Sequence, residues 1–421
     1  MEPRPAHVRS KLVFRNAQTG LFEGDPRDLV TSDSLPGWLL ETIDRLDLTC
    51  VKELFEDKGG VPYDPRSLLG VLLLGGLVGR TSSRDLEECC LYDVRFIYVS
   101  GSQTPDYRTI ARFRSRIAQV MDQIFKQIVR LGMEDGLVRL GRVSLDSTKV
   151  STAASAFRRQ MMNLDEEDDE PSDPDAVRLM CGGNKPVFGY TVQAAVDCET
   201  DFVVGVDVNL EKNDRNAAPG MLGKIEETTG FRPSEMLCDA GYDSHSSHQA
   251  LADAGVTGWI PVQDSDRGFW SVPDSEHALC PMGHPALPLK AKFYNGRWIQ
   301  TFRVRECSSC IFKTSCCPRQ HGRELVAPVG TNPITRILSI RRMSSPDGKA
   351  ASRERSSTIE LVFGDMKWNH HLDRLRHRTL VKAKAEVLSF FVCRNLKKLY
   401  KAANRSFWLI FMPKTQFLNA A

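Results

Sequence analysis

The chain has 421 residues, of which 41% are hydrophobic and 26% charged, and its formal net charge is +3. This length holds two or three domains and a sizeable core, while so even a charge balance does not by itself mark a polyanion-binding protein. No apolar run is long enough for a signal peptide or a bilayer span; the strongest, Leu68 to Val78, is too short and rich in Gly. A cytoplasmic protein with no membrane partner is therefore expected, its 12 cysteines reduced.

Residues 1–35 read as an N-terminal arm. From 36 to 135 the apolar residues recur at helical spacing, which predicts an all-helical domain. Pro65 suits the first turn of a buried helix over Arg66 to Val78. Ser82 and Ser83 suit the capped start of another helix. After the turn signal Gly101-Ser102-Gln103-Thr104-Pro105-Asp106, a basic helix carries Arg112, Arg114 and Arg116. Short helices and a final basic one resemble a helix-turn-helix module, with Arg112 and Arg114 as candidate DNA contacts. A structural bundle with solvated arginines fits the same pattern.

From residue 137 the period becomes strand-like. Val143-Ser144-Leu145, then Phe188 to Val196 and Phe202 to Val208 around a Thr200-Asp201 turn, form three predicted strands. A helix over Ala217 to Thr229, a strand ending at Asp239, a helix near Ser246 to Ala254 and a strand over Val256 to Val262 follow. This order resembles the ribonuclease H-like arrangement, in which the first and fourth strands are central neighbours. The fold class expected is α/β: a ribonuclease H-like core over 136–263 and 351–405, preceded by the all-helical domain and interrupted by a Cys-rich insertion over 264–350. Residues 406–421 form a C-terminal tail. The acidic stretch 164–175 reads as a solvated loop. Residues 336–405 hold 17 Lys/Arg against 6 Asp/Glu, a basic surface suited to a polyanion.

Asp146 and Asp239 each end an apolar strand and are followed by small or polar residues, which leaves room for a cation and a phosphate. Glu360 lies in the late helical pattern Ile359-Glu360-Leu361-Val362. The apolar neighbours predict a largely buried helix whose carboxylate needs a partner. Three such carboxylates suit hard divalent ions, Mg²⁺ or Mn²⁺, which take oxygen ligands. Two ions about 4 Å apart can serve phosphoryl transfer. Lys367 lies two helical turns past Glu360, on the same face.

With these residues in place the chain resembles a bacterial insertion-sequence transposase of the DDE type, in the branch with a helical N-terminal domain and a Cys-bearing insertion. The resemblance runs from about Pro36 to Tyr400. It rests on Tyr63-Asp64-Pro65-Arg66, Leu145-Asp146-Ser147-Thr148-Lys149, Phe188-Gly189-Tyr190, Cys238-Asp239-Ala240-Gly241-Tyr242-Asp243, Thr358-Ile359-Glu360, Phe363-Gly364-Asp365-Met366-Lys367 and Arg394-Asn395-Leu396-Lys397-Lys398-Leu399. The resemblance implies a metal-dependent enzyme that binds the terminal inverted repeats of its element, cleaves the DNA and transfers the 3′ ends to target DNA. It implies catalytic carboxylates at Asp146, Asp239 and Glu360, DNA contacts at Lys367, Lys149, Arg376 and Arg378, a homodimer on DNA, and a nucleoid-associated location without a small-molecule cofactor. Related enzymes place Tyr and Arg seven and four positions before the Glu; here Arg353 and Ser356 stand there, and Arg355 is the displaced candidate for the phosphate contact. A domesticated or inactive DNA-binding copy and a metal-dependent nuclease without strand transfer share these features.

Cys280, Cys307, Cys310 and either Cys316 or Cys317 form a second constellation. Cys307-Ser308-Ser309-Cys310 has the spacing that lets two thiolates reach one structural Zn²⁺. A Cys-rich loop without metal fits too, but the region reads as irregular and short of apolar material, which favours zinc. Trp270, Tyr294 and Trp298, near Lys290, Lys292 and Arg297, suit stacking on an unpaired base, with ordinary core as the reading preferred for Trp298. His245 and His248 read as surface positions on a helix.

Overall fold

Apolar spacing and capping residues set the helices of the N-terminal region: α1 Leu35–Asp44, α2 Thr49–Glu53, α3 Pro65–Val78, α4 Ser83–Tyr92, α5 Val94–Val99, α6 Tyr107–Ile117 and α7 Met121–Glu134. The computed structural model describes residues 30–55, 63–152, 173–181, 185–262, 270, 272, 278–317, 321–370 and 372–411. The chain divides into two units. The first comprises Met1–Leu137, Ser151–Ala176 and His370–Ala421, and the second Val138–Val150 and Val177–Asn369. No described helix is long and apolar enough to cross a membrane.

In the first unit α3 is buried nearly all round, with Leu68, Leu69, Val71, Leu73 and Leu74 in the core. The Asp64 carboxylate accepts from the Arg66 N–H at its start, and Gly79, at φ +79°, ends it in the left-handed conformation that glycine adopts without strain. The sequence reading groups residues 351–405 with the sheet. In the structure the C-terminal helix, Leu380–Phe411, packs instead on α3 and α7. It approaches so closely that a Cβ on Gly76 would stand 2.5 Å from the Cys393 sulfur. The Cys393 thiol donates towards the Leu73 carbonyl, and burial pushes its pKa up to about 12.

The acidic stretch is not solvated along its whole length. Asp173 is fully buried and accepts from the Thr379 N–H, while Asp175 accepts from the Leu380 N–H. Two carboxylates thus satisfy free amides and complement the positive end of the last helix. Residues 164–172 lie outside the described residues.

The second unit carries β1 Arg142–Ser151, β2 Val177–Cys181, β3 Lys185–Asp197, β4 Val203–Asn209, β5 Glu235–Leu237 and β6 Thr257–Trp259. The sheet order is β2-β3-β1-β5-β6, with β4 also paired to β3. β3 and β4 are antiparallel, and the turn between them contains Asp201 at φ +53°. Asp197, buried at the end of β3, accepts from the N–H groups of Arg139, Leu140, Glu199 and Thr200, which fixes both the turn and the entry to β1. α8, Ala217–Thr229, packs on β4, and α9, His245–Asp253, packs on α8.

The Cys-rich segment is more regular than its composition suggests. β7 Ala286–Pro288, β8 Lys292–Tyr294, β9 Arg297–Val304 and β10 Glu324–Pro328 form an antiparallel sheet in the order β10-β9-β7, with β8 on β9. Trp270, Val272, Ala278, Cys280, Ala286, Val304, Cys307, Ile334 and Ile337 build its core. The last two come from α10, Pro333–Ser344, near the end of the insertion, so the segment supplies its own apolar core from scattered positions. α11, Pro346–Gly364, begins at the Ser345 cap and runs into a π-helical turn over Asp365–Asn369.

The close crossing at Gly76 gives a stability prediction. Gly76→Val forces a branched side chain into the Cys393 contact and is expected to cost about 1–3 kcal/mol, as overpacking of a tight core does. Thermal unfolding of the purified variant measures it. An unchanged midpoint would show that the helices separate freely at this point.

Candidate active site

The site begins with the pairing of β1 and β5. They run parallel, with Val143 opposite Met236 and Ser144 opposite Leu237. Asp146, within β1, and Asp239, just past the end of β5, each stand two residues beyond the Ser144–Leu237 pair. Beneath them Val143, Leu145, Met236, Leu237 and Cys238 are buried. Asp146 accepts from the Ser147 N–H at 2.7 Å, and Asp239 from the Gly241 N–H at 2.8 Å. A Cβ on Gly241 would lie 3.0 Å from the Asp239 carboxylate, so a glycine keeps that oxygen open. Burial raises the pKa of the Asp146 carboxyl. The Ser147 N–H and Arg355 oppose this, and the Asp239 charge adds to it.

Glu360 approaches from α11. Arg142 bonds both Glu235 of β5 and Glu354 of α11, each at 2.8 Å, while Leu237, Trp259 and Ala351 pack together. This holds the helix against the strands. The expectation of a largely buried helix is only half met: Ile359 and Val362 are buried, but Leu361 is 67% exposed and the Glu360 side chain 62% exposed. Glu360 lies on the open side because the helix buries only one face.

Arg355 fills the space between the acids. Its Nη1 stands 2.6 Å from Asp146 Oδ2, and its Nη2 3.6 Å from Glu360 Oε1. The sequence reading assigns this arginine to a phosphate. In the structure its planar fork bridges two carboxylates and supplies the positive charge they need. The side-chain oxygens of Asp146 and Asp239 fit a hard divalent cation. A third donor from Glu360 requires the guanidinium to withdraw. Among the described residues, no group of three or more His, Cys, Asp or Glu side chains is arranged to hold a metal.

Three further residues, Asp214, Gln193 and Tyr242, belong to this neighbourhood and are not among the candidate site residues of the sequence reading. Asp214, between β4 and α8, shares a side-chain hydrogen bond with Ser147 and receives one from the buried Gln193 amide at 3.4 Å. Burial raises its carboxyl pKa, the Ser147 bond and Lys149 lower it, and the Asp239 charge raises it. Tyr242 is fully buried. Its hydroxyl has no hydrogen-bond partner among the described residues, and burial together with the charges of Asp214, Asp146 and Asp239 raises its pKa.

The expected DNA-contacting cations fall into different settings. Lys149 donates to the Met180 carbonyl at 2.5 Å, and Lys367 is half-buried on the π turn. In the first unit Arg112 and Arg378 are exposed. Arg114 is tucked inward and donates to the Thr81 carbonyl at 2.8 Å, with burial lowering its pKa. Arg376 donates to the Thr81 hydroxyl at 2.5 Å, and its backbone N–H to Glu386. Arg114 and Arg376 line one cavity of about 120 Å³.

The insertion's cysteines come near one another around Arg323. Cys307 accepts from the Arg323 N–H at 3.4 Å, and the Arg323 guanidinium lies 3.2 Å from the Cys316 sulfur. Cys280 and Cys307 are packing side chains of the small core, Cys317 is buried and Cys310 half-buried. Trp270 is core, not a stacking surface, whereas Trp298 is 57% exposed, the reverse of the expectation for that pair. Phe293, Tyr294 and Trp298 are exposed on the β8–β9 hairpin beside Lys292 and Arg297, with Phe293 and Trp298 edge to face at 5.7 Å. Nor are the two histidines surface residues: His248 is buried and bonds Asp243 at 3.0 Å, and Asp243 also takes a pair of bonds from Arg336.

Comparison with known proteins adds the following. Residues 279–400 match the family described as a transposase DDE domain, and residues 27–116 match one described as a transposase domain. No curated protein matches. Among solved structures, a piggyBac transposase synaptic complex with hairpin DNA aligns over 90% of this chain and 82% of that one, at 10% identity and a TM-score of 0.35. At that score the likeness carries no argument.

His245 gives a pH prediction. Burial, then the nearby charges of Arg336 and His248, push its pKa down to about 4 from 6.5. The unfolded chain therefore binds this proton first, and stability falls as pH drops from 6.5 towards 4. The expected loss is on the order of 2 kcal/mol. His245→Gln should flatten the melting temperature across that window, and a profile identical to wild type would remove His245 as its cause.

Proposed function

The chain belongs to the insertion-sequence DDE transposases, and from that premise we propose that it binds the terminal inverted repeats of its element, hydrolyses a phosphodiester bond at the element end and joins the freed 3′ end to target DNA. The observation that carries this reading is the parallel pairing of β1 with β5, which sets Asp146 and Asp239 each two residues past the paired Ser144 and Leu237. The pairing of β4 with β3 and the order β3-β1-β5-β6 support a ribonuclease H-like core, because β1 stands between β3 and β5.

Asp146, Asp239 and Glu360 are the proposed holders of Mg²⁺ or Mn²⁺. When bound, a pair of such ions activates the attacking oxygen and stabilises the leaving one. Asp146 and Asp239 fix oxygen donors side by side on a rigid apolar floor, so little reorganisation is needed at the moment of reaction. With a cation held by these carboxylates, the Arg355 fork would be available to a DNA phosphate. Lys367, seven residues past Glu360, is the proposed contact at the cleaved end. The exposed Trp298 and Tyr294 suit a base freed from its pair. Structural zinc on Cys280, Cys307, Cys310 and Cys316 is proposed from the Cys307–Cys310 spacing. A homodimer on DNA follows from the need to cut two ends.

Three experiments test this reading. Asp146→Asn, Asp239→Asn and Glu360→Gln each remove a ligand charge at constant size, so each should lower cleavage of a labelled element end in Mg²⁺ at least a hundredfold while leaving binding nearly intact. Clear cleavage by one of them removes that residue from the ligand set. A donor plasmid with flanking inverted repeats separates transposition from cutting alone and from binding alone. On the basic C-terminal surface, the pair Arg376→Ala and Arg378→Ala should weaken binding to specific and random DNA alike and make its salt dependence shallower, because fewer counterions are released. An unchanged salt slope means that these arginines meet no phosphate.

A further inference from the structure

We propose that Asp214 is a fourth carboxylate of this site, sharing with Asp239 a divalent ion distinct from the one between Asp146 and Glu360. The proposal rests on the reading of Asp146 and Asp239 as metal ligands and extends it. Asp214 is 68 residues past Asp146 in sequence, yet its side chain is bonded to Ser147, the residue next to Asp146. Gln193 of β3, itself buried, holds it from the other side at 3.4 Å. It is close enough to Asp239 for the two charges to oppose each other. Arg355 neutralises the acids on the Glu360 flank, whereas on the Asp214 flank the positive charge comes from Lys149 and the Asp239 charge opposes it.

Tyr242 supplies an independent observation. Its side chain is wholly buried and its hydroxyl unpartnered among the described residues, while Asp214, Asp146 and Asp239 all act on it electrostatically. A buried hydroxyl without a partner is costly in a finished structure and marks a place where a polar occupant belongs. Here the hydroxyl lies within the electrostatic reach of Asp214, Asp146 and Asp239. A hard cation with its oxygen shell satisfies both the opposed charges and the orphaned hydroxyl. The alternative is that Asp214 only ties the β4–α8 loop to Gln193 and Ser147.

The test uses the full-length protein and Mn²⁺ alone, counting bound ions and their affinity by electron paramagnetic resonance. Wild type should bind about two ions per chain, as a two-metal site requires. Asp214→Asn, which keeps the size and the acceptor oxygen, should lose one ion or bind it at least tenfold more weakly, with an unchanged melting temperature. Wild-type binding by Asp214→Asn, alongside weakened binding by Asp146→Asn, overturns the proposal and leaves the Asp146–Asp239 reading standing. Wild-type binding by both variants overturns both. Gln193→Ala removes the loop tie but keeps the carboxylate, so an equal loss of Mn²⁺ in that variant assigns the effect to structure and overturns the proposal. If Asp214→Asn fails to fold, Asp214→Ser is judged by the same counts.

Discussion

The parallel pairing of β1 with β5 is the constraint on which the site depends. Two acids 93 positions apart can be neighbours only if their strands run in the same direction at a fixed offset, and a parallel ladder fixes both. Burial fixes the register in turn, because a slip of one residue would turn Val143 and Leu145 to the other face of the sheet. The carboxylates therefore stand where they do because of apolar residues that never touch a substrate. Arg142 extends the same register to the third acid, since its two bonds join β1 to β5 and to the helix of Glu360.

What could be read from the chain was what short-range pattern encodes. Asp146 and Asp239 each follow a recognisable apolar run, although β1 continues past Asp146 to Ser151; Asp64 and Ser82 cap recognisable helices, and the turn at Thr200-Asp201 lies where polar residues separate two apolar runs. Asp214 was invisible because nothing distinguishes a loop aspartate until the fold brings it to Ser147. The core of the insertion escaped notice for a related reason: Trp270, Val304 and Ile334 are too scattered to form a periodic signal. The packing of the last helix on α3 was also out of reach, since the Cys393–Leu73 contact spans 320 positions and depends on a glycine, which carries no hydrophobic signal.

Arg355 shows how electrostatics can assign a residue differently from a motif. Its offset from the related pattern made it a doubtful phosphate contact. The geometry shows a cation placed among anions, and a guanidinium is well suited to that because it stays charged and offers parallel donors. The same side chain can serve a carboxylate in one state and a phosphate in another, since both present paired oxygens.

The π turn at Asp365–Asn369 has a consequence for Lys367. In an uninterrupted α-helix, a spacing of seven residues sets the angle between two side chains. A π turn is wider than an α turn, so the angle between Glu360 and Lys367 also depends on how the backbone bonds in between. The pair is thus tunable without altering either residue. Loss of one residue from the wide turn would restore ordinary winding and swing the lysine around the axis, while leaving the carboxylate where it stands.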